Sequence, residues 1–305
     1  MSGVDAILLI AFGGPERRED VMPFLEIVAV GRRIPRERLE EVARHYDRIG
    51  GRSPLNELTR RQAEALARAL GGALPVFVGM RNWHPFLHET LAEMEAQGRR
   101  RALALVLSSF QTEASWDRYL DDVARAREKV GPGAPDVDFA APWAAHPLFV
   151  AAMAERVEEA FARVPPSRRE EARLVFTAHS VPLAMAQGSP YTAQLDSAAR
   201  AIAGRLGHRR WSVAYQSRSG SPREPWLRPE VAETLRLLAR EGARDVVAAP
   251  IGFVADHVEV LYDLDLEARA LAEELGLGFH RALAANDHPT FIAMLADLVR
   301  RGLEP

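Results

Sequence analysis

Cysteine is absent from this chain of 305 residues. Its absence excludes disulfide bonds, thiolate nucleophiles and iron–sulfur clusters of the ordinary cysteine-bound type. Any metal ion that the protein handles must therefore bind to nitrogen or oxygen ligands.

Long apolar runs are missing as well. No stretch approaches the roughly 18 apolar residues that a membrane-spanning helix requires, and no basic segment precedes the first apolar run at 6–10. We therefore expect a soluble, cytoplasmic protein without integral membrane association. The net charge of -3 gives no general attraction to nucleic acid.

Nucleotide-binding fingerprints are also lacking. The glycine pair at Gly13 and Gly14 is followed by Pro15, which fits neither GxGxxG nor GxxxxGK[ST]. This absence argues against a dehydrogenase or a P-loop nucleotide hydrolase.

Short apolar segments alternate with longer segments of helical period. The predicted strands are 7–12, 76–79, 103–107, 137–140, 174–177, 212–215, 246–251 and 277–279. Continuous apolar strands between helices are typical of parallel sheets covered on both faces. The sequence predicts an α/β fold.

The two halves of the chain resemble each other, because residues 146–154 and 288–296 share a pattern beginning with His-Pro. We predict two similar doubly wound domains, 1–140 and 141–305, each with a parallel sheet flanked by helices. A last helix at about 288–302 is expected to pack back on the first domain. Residues from about 15 to 58 form an insertion in the first half of the chain.

That insertion contains paired arginines next to proline, Arg32 and Arg33, and then Arg52 and Ser53 after two glycines. Such a loop can present guanidinium groups and backbone N–H groups to an anionic ligand. An ordinary solvated basic loop is the alternative.

Three acids, Glu259, Asp263 and Glu267, follow the strand at 246–251 at intervals of four residues. On an α-helix they would share one face, where like charges repel. One interpretation is an acidic helix face exposed to solvent. Basic partners are few, however, and apolar residues lie between the acids, so the second interpretation is a path for cations or protons. His179, just after another strand of the same half, would complete a metal or proton site.

Several motifs resemble those of the ferrochelatases, in the same order over nearly the whole chain. They are residues 8–15, 50–55, 79–83, 177–182, 215–220, 225–227 and 250–259. The resemblance implies a chelatase-like fold and an enzyme of haem biosynthesis that inserts Fe(II) into a porphyrin in a cleft between two domains. Fe(II) and porphyrin would be substrates, no cofactor would be required, and a monomer is expected.

The resemblance also assigns roles to residues. It implies that His179 and Glu259 face the macrocycle as catalytic residues, and that Asp263 and Glu267 continue an acidic line towards the surface. Whether these four side chains hold the metal or only protons stays open. The predicted substrate-binding residues are Phe12, Arg32, Arg33, Arg52, Ser53, Ser109, Gln216, Ser217, Arg218 and Trp226.

Departures from the family pattern bear on the substrate. Some members have Tyr where Phe12 stands, and the loop 108–112 is unlike the usual versions. No apolar lip and no Cys-bearing extension occur, which is typical of the compact soluble bacterial type. The segment 216–226 resembles that of relatives that use coproporphyrin III, and this porphyrin is predicted. The alternatives are a protoporphyrin IX ferrochelatase, a chelatase for another tetrapyrrole, and a tetrapyrrole or metal carrier without turnover.

Overall fold

In the described part of the chain, eight β-strands form two parallel sheets. The structure, a computed structural model, describes residues 3–31, 34–219 and 224–304, so the predicted binding residues Arg32 and Arg33 lie outside the described residues. The strands are β1 (Ala6–Ala11), β2 (Val76–Met80), β3 (Arg101–Val106), β4 (Asp136–Phe139), β5 (Arg173–His179), β6 (Trp211–Gln216), β7 (Asp245–Ala249) and β8 (Gly278–Arg281).

The two sheets have the same topology. Their orders are β2-β1-β3-β4 and β6-β5-β7-β8, with every neighbouring pair parallel. All six residues of β1 and all five of β7 are buried, as expected for central strands that are covered on both faces. The predicted α/β fold with two similar sheets is confirmed, and each predicted strand overlaps an observed one.

Helices connect the strands. They are α1 (Val21–Ala29), α2 (Arg36–Arg48), α3 (Leu55–Ala69), α4 (Leu87–Ala96), α5 (Arg118–Val130), α6 (Pro147–Phe161), α7 (Leu183–Gln187), α8 (Tyr191–Arg205), α9 (Val231–Arg240), α10 (Val258–Val260), α11 (Arg269–Glu274) and α12 (Pro289–Leu303). Short 3₁₀ segments occur at Arg18–Asp20 and Pro166–Arg168, and π-helical segments at Glu113–Asp117 and Leu261–Ala268.

Helix α9 shows how the sequence produces these elements. Val231, Leu235 and Leu238 recur at the helical period and are buried against the second sheet. The Glu233 side chain accepts a hydrogen bond of 2.9 Å from the backbone N–H of Glu230, which satisfies a donor at the start of the helix. The apolar face therefore determines which side of α9 packs against the sheet, and the Glu233 cap stabilises its first turn.

The chain divides into two compact units. Unit 1 comprises the residues up to Ser108, Ala114–Ala141 and those from Phe291 onwards, and unit 2 comprises Ser109–Glu113 and Pro142–Thr290. Each unit has its own apolar core. In unit 1, β1 and β3 pack against α4 and α5; in unit 2, β5 and β7 pack against α9 and the helical segment after Val258.

Most of helix α12 belongs to unit 1. The Arg300 guanidinium donates a hydrogen bond of 3.2 Å to the carbonyl of Ala69. Gly302 lies so close to Leu103 that a Cβ atom there would approach a Leu103 methyl group to 2.5 Å.

Among the helices of the described ranges, none is both long enough and apolar enough to cross a membrane.

Candidate active site

His179 is the last residue of β5 and lies at the carboxyl edge of the second sheet. Its Nδ1 atom is hydrogen-bonded to the carbonyl of Ser180. Because a carbonyl oxygen only accepts, Nδ1 must carry a proton, and in the neutral ring Nε2 then has the free lone pair. The hydroxyl of Tyr191, a buried residue at the start of α8, donates to the backbone carbonyl of His179 at 2.8 Å.

Glu259 is brought to His179 by the loop that follows β7. Gly252 of this loop donates its N–H to the carbonyl of Thr177 at 3.1 Å, and a Cβ atom at 252 would lie 2.6 Å from Cα of Ala178. Only glycine allows the loop to approach β5 this closely. The result is a distance of 3.3 Å between Nε2 of His179 and Oε1 of Glu259.

The two groups of this pair change each other's acidity. Burial disfavours the charged imidazolium, but the Glu259 carboxylate, the Ser180 carbonyl and the Asp263 charge together outweigh burial, so the pKa of His179 is raised. Burial likewise opposes ionisation of Glu259, but His179 and His257 together outweigh burial, so the pKa of Glu259 is lowered. The pair therefore favours a proton on His179 beside a carboxylate on Glu259.

His257 is a second histidine next to Glu259, and no role was predicted for it from the sequence. Its Nδ1 accepts a hydrogen bond of 3.2 Å from the backbone N–H of Glu259, so its side chain caps the first turn of α10. Burial lowers the pKa of His257 despite the neighbouring acids. His257 therefore favours the neutral form and serves as a helix cap.

The acidic segment has a different helix type from the one predicted. Leu261–Ala268 is π-helical between the short α10 and α11, so the expectation of a continuous α-helix was wrong here. In a π-helix the hydrogen bonds connect residues five apart, so side chains four apart no longer stack as in an α-helix. The exposure of the acids still increases outwards, since Glu259 and Asp263 are partly buried and Glu267 is exposed.

Asp263 is the most perturbed acid of this segment. Burial is the main cause, and the negative charges of Glu259 and Glu267 add to it, so the pKa of Asp263 is raised to about 7. The Ser217 hydroxyl donates a hydrogen bond to Oδ2 of Asp263 and opposes this rise. Ser217 adopts a φ of 61°, a left-handed conformation that is unusual for a serine.

Gln216 and Trp226, two predicted binding residues, lie in the same unit as His179. The Gln216 amide donates a hydrogen bond of 2.6 Å to the backbone carbonyl of Glu259, and the Gln216 side chain is buried. Within the described part of the chain, Oε1 of Gln216 and Nε1 of Trp226 are buried without a hydrogen-bond partner. Unpaired polar atoms are costly unless a ligand or water satisfies them.

Arg218, another predicted binding residue, contacts an acidic side chain and a backbone carbonyl of its own unit. Its guanidinium lies 3.8 Å from a carboxylate oxygen of Glu230 and 3.4 Å from the carbonyl of Glu224.

The remaining predicted binding residues have separate surroundings. In unit 1, Phe12 follows β1 with 40% of its surface exposed, Arg52 is exposed, and Ser53 is buried with its hydroxyl accepting from the N–H of Leu55 at 3.3 Å. In unit 2, the Ser109 hydroxyl is buried and has no hydrogen-bond partner among the described residues.

The predicted metal ligands do not form a preformed cage. No group of three or more His, Cys, Asp or Glu side chains suitable for holding a metal ion occurs in ranges 3–31, 34–219 and 224–304. His179 and Glu259 bring together an imidazole nitrogen and a carboxylate oxygen, which are donor types that divalent metal ions prefer. Fold and site thus define an α/β protein with a histidine–carboxylate pair for proton or metal chemistry.

Comparison with known proteins identifies the family. The family model described as ferrochelatase matches residues 4–303. The coproporphyrin III ferrochelatase of Mycolicibacterium smegmatis is 46% identical over 301 residues, which cover 97% of this chain and 88% of that protein. The coproporphyrin III ferrochelatase of Nocardia farcinica is 45% identical over 312 residues, covering 99% and 89%. This chain belongs to the ferrochelatase family.

A solved structure supports the fold. A multi-domain protein from Deinococcus radiodurans, described as structurally similar to chelatases, matches with a TM-score of 0.61 at 17% identity. The match covers 100% of this chain and 56% of that protein. The predictions of ferrochelatase family membership and of ferrochelatase activity in haem biosynthesis are confirmed by the family match and these relatives.

Proposed function

We propose that this ferrochelatase inserts Fe(II) into coproporphyrin III, with His179 as proton acceptor and Glu259, Asp263 and Glu267 as the route by which protons leave. The observation that carries the proposal is the 3.3 Å pair of His179 Nε2 and Glu259 Oε1, from which acids continue to the surface. No other described pair combines a strand-end histidine with such an acidic segment.

Metal insertion has a defined proton balance. A free porphyrin carries two pyrrole N–H protons, and each Fe(II) ion that enters the ring displaces both. A general base must therefore face the macrocycle during the reaction. His179 can take this role in its neutral form, in which Ser180 holds the proton on Nδ1 and Nε2 carries the lone pair.

Glu259 makes this base stronger. A proton received on Nε2 creates an imidazolium 3.3 Å from a carboxylate, which stabilises the charged ring. The interaction explains why the pKa of His179 is raised although burial opposes it.

Asp263 and Glu267 give the protons an exit. A carboxyl group with a pKa of about 7 accepts and releases protons with similar ease at neutral pH. Glu267, the next acid, is exposed to solvent. The gradient from partly buried to exposed acids supports outward movement of protons.

The donor set also suits transient passage of Fe(II). Imidazole and carboxylate are common ligands of divalent iron. Since His179 and Glu259 offer only two donors within the described residues, an ion here would retain water, as expected for a substrate in transit.

The choice of coproporphyrin III is supported by the names of the relatives and by polar groups of the chain. Coproporphyrin III carries four propionates and protoporphyrin IX two, so the former requires more cationic or hydrogen-bonding partners. Arg52 has 62% of its side chain exposed and lies 3.8 Å from the Glu57 carboxylate. An exposed guanidinium of this kind can also donate hydrogen bonds to a propionate.

The test is anaerobic steady-state insertion of Fe(II) into each porphyrin under identical detergent. We expect kcat/KM for coproporphyrin III to exceed that for protoporphyrin IX by about tenfold or more, which corresponds to about 1.4 kcal/mol. A preference for protoporphyrin IX would contradict the substrate proposal but not the activity. Absence of turnover at substoichiometric protein would instead favour a carrier.

A further inference from the structure

Arg281, the last residue of β8, is a buried arginine whose guanidinium contacts two separate segments next to the candidate site. Its Nε and Nη2 donate to the two carboxylate oxygens of Asp265 at 2.7 and 2.8 Å. Its Nη1 donates to Oδ1 of Asp256 at 2.8 Å and to the carbonyl of Ala282 at 3.2 Å. The guanidinium therefore bridges two carboxylates.

The two carboxylates lie on opposite sides of Glu259 in the chain. Asp256 belongs to the loop that follows β7, and Asp265 belongs to the π-helical segment just after Asp263. One guanidinium thus fixes the chain both before Glu259 and after Asp263.

Asp256 is itself held firmly. Its Oδ1 accepts from the N–H of Ala284 at 3.2 Å and its Oδ2 from the Asn286 amide at 2.9 Å, while its N–H donates to Oδ1 of Asn286 at 2.9 Å. The end of β8 and the segment after it therefore form a rigid support to which Arg281 attaches the helix.

The π-helical geometry explains why such a support is required. A π-helix is rare in proteins and occurs frequently at functional sites, so contacts outside the helix must stabilise it against the α-helical alternative. A change to α-helix would rotate Asp263 relative to Glu259 and Ser217. A bidentate guanidinium–carboxylate pair fixes both distance and orientation, whereas a lysine gives one point contact.

We propose that Arg281 is a positioning residue for metal insertion, which holds the π-helical segment so that Glu259 faces His179 and Asp263 meets Ser217. The inference rests on the proposed roles of His179 and Glu259. Arg281 acts through Asp256 and Asp265 and not by touching the porphyrin. Its loss should therefore reduce kcat and leave KM nearly unchanged.

The experiment compares the full chain with Arg281→Lys and Asp265→Asn in anaerobic Fe(II) insertion, with both coproporphyrin III and protoporphyrin IX as substrates. We expect Arg281→Lys to lower kcat by about tenfold or more, with KM for the porphyrin within about threefold. Asp265→Asn keeps the shape and one acceptor oxygen, so we expect a smaller fall in kcat with KM again preserved.

Arg101→Lys is the matched control. Arg101 also makes a bidentate pair, with Asp138 at 2.6 and 3.3 Å, but it lies on β3 in unit 1. This variant should keep kcat within about twofold, because the Arg101–Asp138 pair belongs to the sheet of unit 1 and a partly exposed ion pair contributes little.

Wild-type kcat in folded Arg281→Lys would overturn the inference. If Arg281→Lys does not fold, wild-type kcat in Asp265→Asn would overturn it, since the Asp265 side chain is 27% exposed and its isosteric change is compatible with folding. His179→Ala is measured alongside. Full turnover in His179→Ala would contradict the proposed function and, with it, the role of Arg281. Full turnover in the Arg281 and Asp265 variants alone would contradict only the role of Arg281 and would leave the proposed function intact.

Discussion

His179 differs from an ordinary strand-end histidine because both of its ring nitrogens have defined partners. Nδ1 is bound to the carbonyl of Ser180, and Nε2 faces the carboxylate of Glu259 at 3.3 Å. Tyr191 holds the backbone carbonyl of the same residue.

Replacing His179 with alanine should abolish Fe(II) insertion, because no other described base occupies its position. Porphyrin affinity should stay within about tenfold, since the lost group acts on the transition state and not on apolar contacts with the ring. Steady-state insertion and quenching of porphyrin fluorescence measure the two effects. His208→Ala is the control, because His208 also binds a carbonyl, that of Ala172 at 3.0 Å, and has no predicted role in the reaction. Near-normal turnover in His179→Ala would contradict its assignment.

The pH dependence of kcat should report the ionisation of Asp263. The carboxyl must be ionised to accept a proton, and its pKa is raised to about 7, so kcat should rise as pH increases through neutrality. Removing the Ser217 hydroxyl removes a hydrogen bond that favours the carboxylate, so Ser217→Ala should move this rise to higher pH. Ser189→Ala, which removes a hydroxyl bound to the Ala186 carbonyl, should leave the profile unchanged. An unshifted profile in Ser217→Ala would argue against Asp263 as the titrating group.

In the segment from Glu259 to Glu267, the helix type observed in the structure differs from the one predicted from the sequence. Four-residue spacing predicted α-helical stacking, but Leu261–Ala268 is π-helical. The π-helical geometry changes the relative directions of the acids, while burial of Leu264 keeps the segment packed against the core of unit 2.

Isosteric removal of the acidic charges should reveal a gradient along this element. Glu259→Gln should cause a severe loss of kcat, because it removes the partner of His179. Asp263→Asn and Glu267→Gln should cause progressively milder losses, since water can replace outer members of the path more easily. Steady-state rates of the three variants test this order. Equal defects in all three would be inconsistent with movement of protons from the site to the surface.

Leu264→Ala should destabilise the protein strongly, because Leu264 is fully buried within the core of unit 2. A loss of about 2–5 kcal/mol in the free energy of unfolding is expected for a leucine truncated in a packed core. Leu237→Ala on α9 should cost less than about 0.5 kcal/mol, since Leu237 is 48% exposed. Chemical denaturation of both variants gives the comparison, and equal losses would contradict the packing described for this element.

At the scale of the whole molecule, two units of the same topology each contain their own core, and the proposed catalytic residues His179 and Glu259 belong to unit 2. Because the proposed base and its acidic partners lie in one unit, the distances between these side chains depend on a single sheet. Unit 1 contains Phe12, Arg52 and Ser53, which remain predicted substrate-binding residues.

The absence of cysteine gives a prediction for the whole chain. Purified protein should show no iron–sulfur absorption, and Fe(II) insertion should be unaffected by thiol-alkylating reagents, because no thiol is present to ligate iron or to react. Absorption spectra and rates before and after alkylation test this expectation. A cluster spectrum, or loss of activity after alkylation, would show that iron or the reagent binds through other groups.

The sequence by itself determined the order of strands and helices, because short apolar runs alternate with longer segments of helical period, a pattern typical of parallel sheets covered by helices. It also placed His179 at the end of a strand and the acids after another, since both positions depend on local patterns and on motifs of the ferrochelatase family.

Tertiary structure decided the rest, because the decisive contacts join residues that are distant in the chain. Gly252 had to approach Ala178 before Glu259 reached His179, and Ser217 had to adopt a left-handed conformation to reach Asp263. The π-helical form also depends on packing and on partners from elsewhere, whereas the same sequence pattern taken alone favours an ordinary α-helix.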